Sequence, residues 1–108
     1  MNMLTLPQKA SLSDFQNYVK ELEQERGFSH QTLIEKSLLL GEEVGELFKA
    51  VRKYSSMKIA TDSIAGNLSD EIADILIYLC AIANRADIDI EEAFRKKEEI
   101  NKTRVWKV

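Results

Sequence analysis

Two short acidic segments carry the residues whose types and spacing are best suited to chemistry. Glu43 and Glu46 lie three residues apart within the segment Glu42–Glu46, and Glu71 and Asp74 have the same spacing later in the chain. Positions i and i+3 share one face of an α-helix, so the two carboxylates of each pair would point the same way. If the two helices face each other, four carboxylates converge and cannot all stay ionised without a positive charge among them. A divalent cation with oxygen ligands would supply that charge.

Each acidic pair also has a simpler explanation. Taken alone, Glu42–Glu46 is explained equally well as the solvated face of a surface helix. Asp74 is harder to explain in this way because apolar residues flank it on both sides, which predicts a buried carboxylate that needs a partner. A structural ion pair with a basic residue is the competing explanation. Lys36 lies on the same helical stripe as Glu43, where it would pair with the acids or hold a phosphate.

A basic stripe is predicted near the end of the chain. Lys97, Asn101 and Arg104 follow the spacing i, i+4, i+7 and therefore share one face of a helix. Lys and Arg are suited to binding phosphate, and Asn adds a neutral donor. Taken alone, this stripe is better explained as a charged last turn that the helix dipole favours. Beside a four-carboxylate cluster, it indicates a site for a metal and a phosphate.

The elements that must position these residues are four predicted helices. The chain has 108 residues with one Pro and four Gly, which favours helices over a turn-rich β fold. We expect residues 1–11 to be a flexible lead-in and residues 12–108 to form one domain. Residues 54–66 are weakly patterned and are the predicted mobile loop. The predicted helices span 12–26, from Ser29 or Thr32 to about Lys53, 69–86 and 90–103.

The two central helices carry more apolar residues than one solvent-facing helix needs. The second is predicted to be buried on more than one side, and the third, apolar almost all round over 72–83, belongs at the centre of a domain or of an oligomer interface. Cys80 lies in this apolar run and is interpreted as a small buried hydrophobe. These features predict an all-α fold.

Charge and hydropathy exclude several classes of protein. The net charge of −3 argues against sequence-independent binding to nucleic acid. The apolar run Ile75–Ala83 is far too short to span a membrane. Residues 1–11 lack the continuous apolar region of a signal peptide. We therefore expect a cytoplasmic protein that binds neither nucleic acid nor membrane.

The acidic segments and their surroundings resemble a known enzyme family. Glu42-Glu-Val-Gly-Glu46 followed by Glu71-Ile-Ala-Asp74 is similar to the EExxE…ExxD signature of the MazG-like, all-α nucleoside triphosphate pyrophosphohydrolases. The paired motif is specific, whereas either half alone is weak. The likeness covers about residues 12–106. It also includes the basic stripe Lys97, Asn101 and Arg104.

The resemblance implies a four-helix-bundle-like fold and a defined reaction. Family members cleave a nucleoside triphosphate between its α and β phosphates, giving the monophosphate and pyrophosphate, with Mg²⁺ or with Mn²⁺ as a substitute. Glu43 and the neighbouring Glu42 are the candidate catalytic residues, Glu42 as a base or an outer group, although a Gly can stand there in relatives. By motif position, the metal ligands would be Glu43, Glu46, Glu71 and Asp74.

The same resemblance implies the substrate-binding residues. Within the family, the chain is most similar to the single-domain branch that contains dCTP pyrophosphatases, where Glu25-Arg-Gly-Phe28 has a counterpart. Some dCTP-hydrolysing relatives have Trp where this chain has Phe28. A second aromatic residue is expected shortly after the acids of the second helix, and this chain has Lys53 at about that position. The resemblance therefore does not define which base is preferred. The triphosphate would contact Lys97, Asn101 and Arg104, and the nucleoside would contact Tyr78 and Phe28. Lys36 is a further candidate for binding the substrate, from its position on the helix and not from the resemblance.

Relatives of this kind form dimers and tetramers whose sites are built from more than one chain. We therefore expect a homodimer at least, and a homotetramer as the better prediction. The implied role is house-cleaning or control of the nucleotide pool. Two alternatives remain. One is a phosphoribosyl-ATP pyrophosphohydrolase, which shares the superfamily, and the other is a non-catalytic helical module for oligomerisation or regulation.

Overall fold

The described part of the chain forms four α-helices, and the predicted all-α class is confirmed. The computed structural model describes residues 4–56 and 65–105, and no strand occurs within those ranges. The middle of the predicted loop 54–66, the first three residues of the lead-in and the last three of the domain lie outside them. The predicted helix boundaries agree with those found to within about one residue. The helices are α1 (Leu12–Arg26), α2 (Leu33–Tyr54), α3 (Leu68–Arg85) and α4 (Ile90–Lys102).

The helix ends follow the capping signals in the sequence. Ser11 caps α1 through a capping box in which its side chain accepts a hydrogen bond from the backbone N–H of Asp14. Thr32 does the same for α2 with Glu35. These bonds satisfy N–H groups that have no partner within a helix. Gly27 ends α1 in the left-handed conformation, with φ at 78°, which costs Gly little because it has no Cβ.

The helices pack as a chain of neighbours with α3 at the centre. α2 lies along α3, α1 packs on the other part of α3, and α4 packs chiefly on α1. The buried core lies between α1 and α3 and includes Cys80 in the predicted role of a small buried hydrophobe. Leu4, in the predicted lead-in, packs against this core. The buried residues of this cluster are Val19, Leu22, Cys80 and Ala81.

A buried amide joins the start of α4 to the rest of the fold. The side chain of Gln16 donates to the carbonyl oxygen of Ile88 at 2.8 Å and accepts from the backbone N–H of Ile90 at 2.9 Å. It also donates to the side chain of Asn84, which returns a bond to the Gln16 carbonyl. Because every polar atom of this amide has a partner, the connection between α3 and α4 is fixed on α1.

The prediction that α2 is buried on more than one side is wrong for the single chain. Lys36 and Ala50 are its only buried residues, whereas Leu38 is 70% exposed and Phe48 is 62% exposed. α3 likewise leaves Ile72, Leu76 and other apolar residues exposed. The reason is geometric, since α3 covers one side of α2 and no other described helix packs extensively on the opposite side. No helix in residues 4–56 and 65–105 has the length and apolar character that crossing a membrane requires.

Candidate metal and nucleotide site

Three of the four predicted metal ligands lie together. Glu43 on α2 faces Glu71 and Asp74 on α3, and one carboxylate oxygen from each residue lies within 4.8 Å of the other two. The side-by-side packing of α2 and α3 creates this arrangement, because the i and i+3 positions of α3 present both of its acids to the same neighbour. We call Glu43, Glu71 and Asp74 the acidic cluster.

The other two acids of the signature lie at the edge of this cluster. Glu46 is half-buried, and its carboxylate lies 3.7 Å from the ammonium of Lys49. Glu42 is exposed. Both still contribute to the local field, because the charges of Glu46 and Glu42 are among those that raise the pKa of Glu43.

The cluster is under electrostatic repulsion. Burial raises the pKa of Glu43, and the negative charges of Asp74 and Glu71 raise it further. All the charged groups that shift this pKa are acids, so the described residues supply no compensating cation at Glu43. Three mutually repelling carboxylates are a donor set that fits a divalent cation with oxygen ligands, and the residues present therefore fit the metal that the signature implies.

The prediction that Asp74 is buried is wrong for the single chain, in which this residue is exposed. Apolar side chains do flank it along the chain, but Ile72 and Leu76 are two positions from Asp74, lie on the other side of the helix, and are themselves exposed. The burial of Asp74 therefore depends on what covers α3.

Gly66 lies against the acidic cluster just before α3. A Cβ atom at this position would collide with the side-chain carboxylate of Glu71. The absence of a side chain at residue 66 therefore allows Glu71 to take the position in which it meets Glu43 and Asp74.

Lys36 does not reach the acidic cluster as one alternative predicted. It is buried, and its ammonium lies 3.1 Å from the carboxylate of Glu23 on α1. Arg85 at the end of α3 pairs with the same carboxylate at 2.8 Å. Glu23 and Arg85 are not among the site residues that the sequence predicts, and they are not close neighbours of Lys36 along the chain. No local spacing rule relates the three, so only a three-dimensional arrangement could reveal them.

The two residues predicted to contact the nucleoside lie near each other around Lys36. The ammonium of Lys36 is 5.2 Å from the ring centre of Phe28 and 5.2 Å from that of Tyr78, both within the range of a cation–π contact. Burial raises the pKa of Tyr78, and the charges of Glu43 and Asp74 raise it further. Tyr78 therefore connects this aromatic pair to the acidic cluster.

The basic stripe lies elsewhere in the single chain. Lys97 and Asn101 line an open cavity of about 330 Å³ beside α4, and Arg104 follows the end of that helix. The side-chain oxygen of Asn101 is buried with no hydrogen-bond partner among the described residues. α4 packs chiefly on α1, and neither Lys97 nor Asn101 is among the described groups that act on Glu43.

Comparisons with known proteins identify the class. Residues 28–105 match the model of the MazG nucleotide pyrophosphohydrolase domain. Two solved forms of iMazG from Vibrio DAT 722 are similar. The Ntag form is 30% identical with a TM-score of 0.63 and covers 90% of this chain and 99% of its own. The Ctag form is 31% identical with a TM-score of 0.61 and covers 86% and 99%.

The fold, the paired acidic motif and these matches define an all-α hydrolase that acts on phosphoric anhydrides. The chain belongs to the MazG nucleotide pyrophosphohydrolase family, as the resemblance predicted. A search of curated proteins finds no match. Membership of this family favours the enzyme interpretation over a non-catalytic helical module.

Proposed function

We propose that the protein is a Mg²⁺-dependent pyrophosphohydrolase that cleaves a nucleoside or deoxynucleoside triphosphate between its α and β phosphates. The products are the nucleoside monophosphate and pyrophosphate, and the role is house-cleaning or control of the nucleotide pool. One observation supports this most strongly. The cluster of Glu43, Glu71 and Asp74 lies beside Tyr78, which with Phe28 offers aromatic surface for a nucleoside.

The acidic cluster is the proposed metal site. Glu43, Glu71 and Asp74 would hold the cation through carboxylate oxygens, and Glu46 would join them by turning away from Lys49. Mg²⁺ bound there would polarise the phosphate oxygens and neutralise charge that develops during cleavage. By holding the cation, the three carboxylates would fix where the triphosphate lies. Glu42, exposed beside them, is the candidate base that would accept a proton from the attacking water.

The nucleoside is proposed to lie against Tyr78 and Phe28. Tyr78 follows Asp74 by one helical turn, so a triphosphate on the acidic cluster places its nucleoside within reach of that ring. Lys36 contributes a buried positive charge on the same side. The likeness to dCTP pyrophosphatases makes dCTP the first substrate to test.

A second copy of the chain is proposed to complete the site. Apolar residues of α2 and α3 are exposed in the single chain and would be covered in a homodimer or homotetramer. Among the described helices, α4 packs chiefly on α1 and α2 lies along α3, so we place Lys97, Asn101 and Arg104 of a neighbouring copy beside the acids, where they would hold the phosphates.

The reaction is tested by measuring pyrophosphate release from the four standard dNTPs, the four NTPs and phosphoribosyl-ATP with Mg²⁺, Mn²⁺ or EDTA. We expect turnover of at least one nucleotide with metal, none with EDTA, and a loss of activity of about 10²-fold or more in Glu43→Gln. No turnover of any substrate, with Glu43→Gln behaving like the parent, would refute the proposal. Turnover of phosphoribosyl-ATP alone would favour the alternative pyrophosphohydrolase.

Sharing of the site is tested by mixing two inactive variants. Glu43→Gln and Lys97→Gln are unfolded together, refolded as mixed oligomers and assayed. If one site takes its acids and its Lys97 from different chains, a mixed dimer retains one intact site and activity returns. Mixtures as inactive as the separate variants would place both residues in the same chain.

A further inference from the structure

Three charged side chains form a buried group behind the aromatic pair. Glu23 accepts two hydrogen bonds from the guanidinium of Arg85, at 2.8 and 2.9 Å, and its second oxygen lies 3.1 Å from the ammonium of Lys36. Glu23 and Lys36 are buried, with 5% and 6% of their surface exposed. Although burial acts to raise the pKa of Glu23, the hydrogen bonds from Arg85 and Lys36 hold it below its ordinary value. The carboxylate is therefore ionised and the group carries one net positive charge.

Arg85 uses all of its donors within the protein. Besides its two bonds to Glu23, it donates to the carbonyl oxygens of Gln31 at 2.7 Å, Phe28 at 3.0 Å and Ala81 at 3.0 Å. A guanidinium has five N–H groups, and all five are occupied here. Arg85 therefore has no donor left for a substrate, and its contacts fix other parts of the protein.

These contacts join the connection between α1 and α2 to α3. Two of the five acceptors are carbonyls of the 27–32 connection, which carries Phe28. Arg85 belongs to α3, the helix that also carries Asp74 and Tyr78. The position of the Phe28 ring relative to Tyr78 is therefore set by Arg85 through the backbone.

Lys36 makes the second link between the two rings. Glu23 orients its ammonium, and the same ammonium lies 5.2 Å from both ring centres. Without the carboxylate of Glu23, the ammonium would be buried beside two rings with no counter-charge, which is strongly unfavourable. Glu23 thereby holds Lys36 in the place where it contacts both Phe28 and Tyr78.

We propose that Arg85 and Glu23 are positioning residues that fix the aromatic pair Phe28 and Tyr78, and so determine how tightly the nucleoside part of the substrate binds. The proposal rests on the proposed function, because it assigns the aromatic pair to the nucleoside. It excludes direct contact between Arg85 and the substrate. It also separates the nucleoside part of the site from the phosphate part, which depends on the acidic cluster.

The test compares Arg85→Lys with the parent in three measurements. Lysine keeps the charge but has at most three donors in place of a planar fork, so at least two of the five bonds are lost. We expect faster hydrogen exchange of the backbone amides in residues 27–32. We also expect KM for the preferred nucleotide to rise about tenfold, equivalent to about 1.4 kcal/mol of binding, with kcat within about twofold of the parent.

The third measurement distinguishes positioning from general destabilisation. Inorganic triphosphate has no nucleoside, so its inhibition constant should be the same in Arg85→Lys and the parent. A variant that merely unfolds would lose kcat and leave KM unchanged, because its remaining folded molecules would be normal. Arg95→Lys is the matched control, since Arg95 forms an exposed ion pair with Glu91 on α4. It should change none of the three measurements.

Unchanged exchange in residues 27–32, an unchanged KM, or equal weakening of triphosphate and nucleotide would each overturn the proposal. If Arg85→Lys does not fold, Glu23→Gln is used, since it retains hydrogen-bonding oxygen while removing the counter-charge of Lys36. A nucleotide with an imido group between its α and β phosphates cannot be cleaved, so its binding can be measured without the reaction. This measurement distinguishes failure of the positioning proposal from failure of the proposed function. If the parent binds the analogue but cleaves no nucleotide, the reaction is wrong, and weaker binding by Arg85→Lys still supports positioning. If the parent does not bind the analogue, both fail.

Discussion

Replacing Glu43 by Gln should stabilise the metal-free protein while removing its response to metal. One oxygen of Glu43 lies within 4.8 Å of oxygens on Glu71 and Asp74. Two like charges at that distance in water repel by about 0.9 kcal/mol, which physiological salt reduces to about 0.5 kcal/mol. Removing the charge of Glu43 relieves two such repulsions, so the expected gain in unfolding free energy is about 1 kcal/mol. For a domain of this size that corresponds to a rise in Tm of about 4 °C.

The assay is thermal unfolding in EDTA and in a series of Mg²⁺ concentrations, at one fixed protein concentration because oligomerisation affects Tm. A cation that binds only the folded parent adds about 2.7 kcal/mol of stability at one hundred times its Kd. Glu43→Gln should lose most of this gain, and Asp74→Asn should lose it as well. The order of the two Tm values should therefore reverse, with Glu43→Gln more stable in EDTA and the parent more stable in Mg²⁺.

An exposed acid outside the cluster provides the matched control. Glu21→Gln on α1 makes the same change in net charge and should alter neither the Tm in EDTA nor the response to Mg²⁺. If Glu43→Gln has the same Tm as the parent in EDTA, or a lower one, the acids do not repel one another as the geometry indicates. If its response to Mg²⁺ equals that of the parent, the cation binds elsewhere.

Three further substitutions test the roles of Gly66, Glu23 and Phe48. Gly66→Ala should displace Glu71 and weaken Mg²⁺ binding about tenfold, as measured by titration calorimetry, while the Tm in EDTA stays near that of the parent; unchanged affinity would show that Glu71 adjusts or is not a ligand. Glu23→Gln should lower the free energy of unfolding by about 3 kcal/mol at pH 7. The pKa of Glu23 in the folded protein lies below its ordinary value near 4.5. The Glu23 carboxylate therefore stabilises the protein fully above pH 4.5, and this stabilisation is lost as the pH falls through the folded pKa. The gap between parent and variant in chemical denaturation should therefore close at acid pH, and a gap constant with pH would contradict the ion pair. Phe48→Glu should shift the oligomer towards monomer in sedimentation analysis and reduce activity, whereas an unchanged mass would exclude this part of α2 from the interface.

Local signals in the sequence were sufficient for most of the fold. Ser11, Thr32 and Gly27 mark helix ends through interactions with residues three or four positions away, so the boundaries of the helices could be predicted closely. The two halves of the acidic signature could also be placed, because spacing along a helix determines which side chains share a face. That α2 and α3 bring these halves together required only that the two most apolar helices pack on each other.

The charged group of Glu23, Lys36 and Arg85 could not be predicted because it depends on contacts between helices and not on local signals. The three residues lie on three different helices, and each has the ordinary sequence context of a surface charge. Helical periodicity placed Lys36 on the stripe of Glu43, which is correct for an isolated helix. The packing of α1 against α3 supplies a nearer carboxylate, and a buried ammonium pairs with the acid that is buried with it.

The exposure of Asp74 and the separation of the basic stripe have a common physical explanation. Apolar periodicity counts how much of a helix avoids water, but it does not say whether the covering residues belong to the same chain. α2 and α3 have more apolar surface than α1 can cover, so the excess remains exposed in the single chain, and Asp74 is exposed as well. A second copy packed over Asp74 would bury this carboxylate, raise the cost of leaving the acidic cluster without a cation, and strengthen the attraction between that cluster and Mg²⁺. On this argument the metal affinity is coupled to assembly, so Phe48→Glu should weaken Mg²⁺ binding even though Phe48 is not among the proposed ligands. Equal Mg²⁺ affinity in monomer and oligomer would show that the cluster binds its cation within one chain.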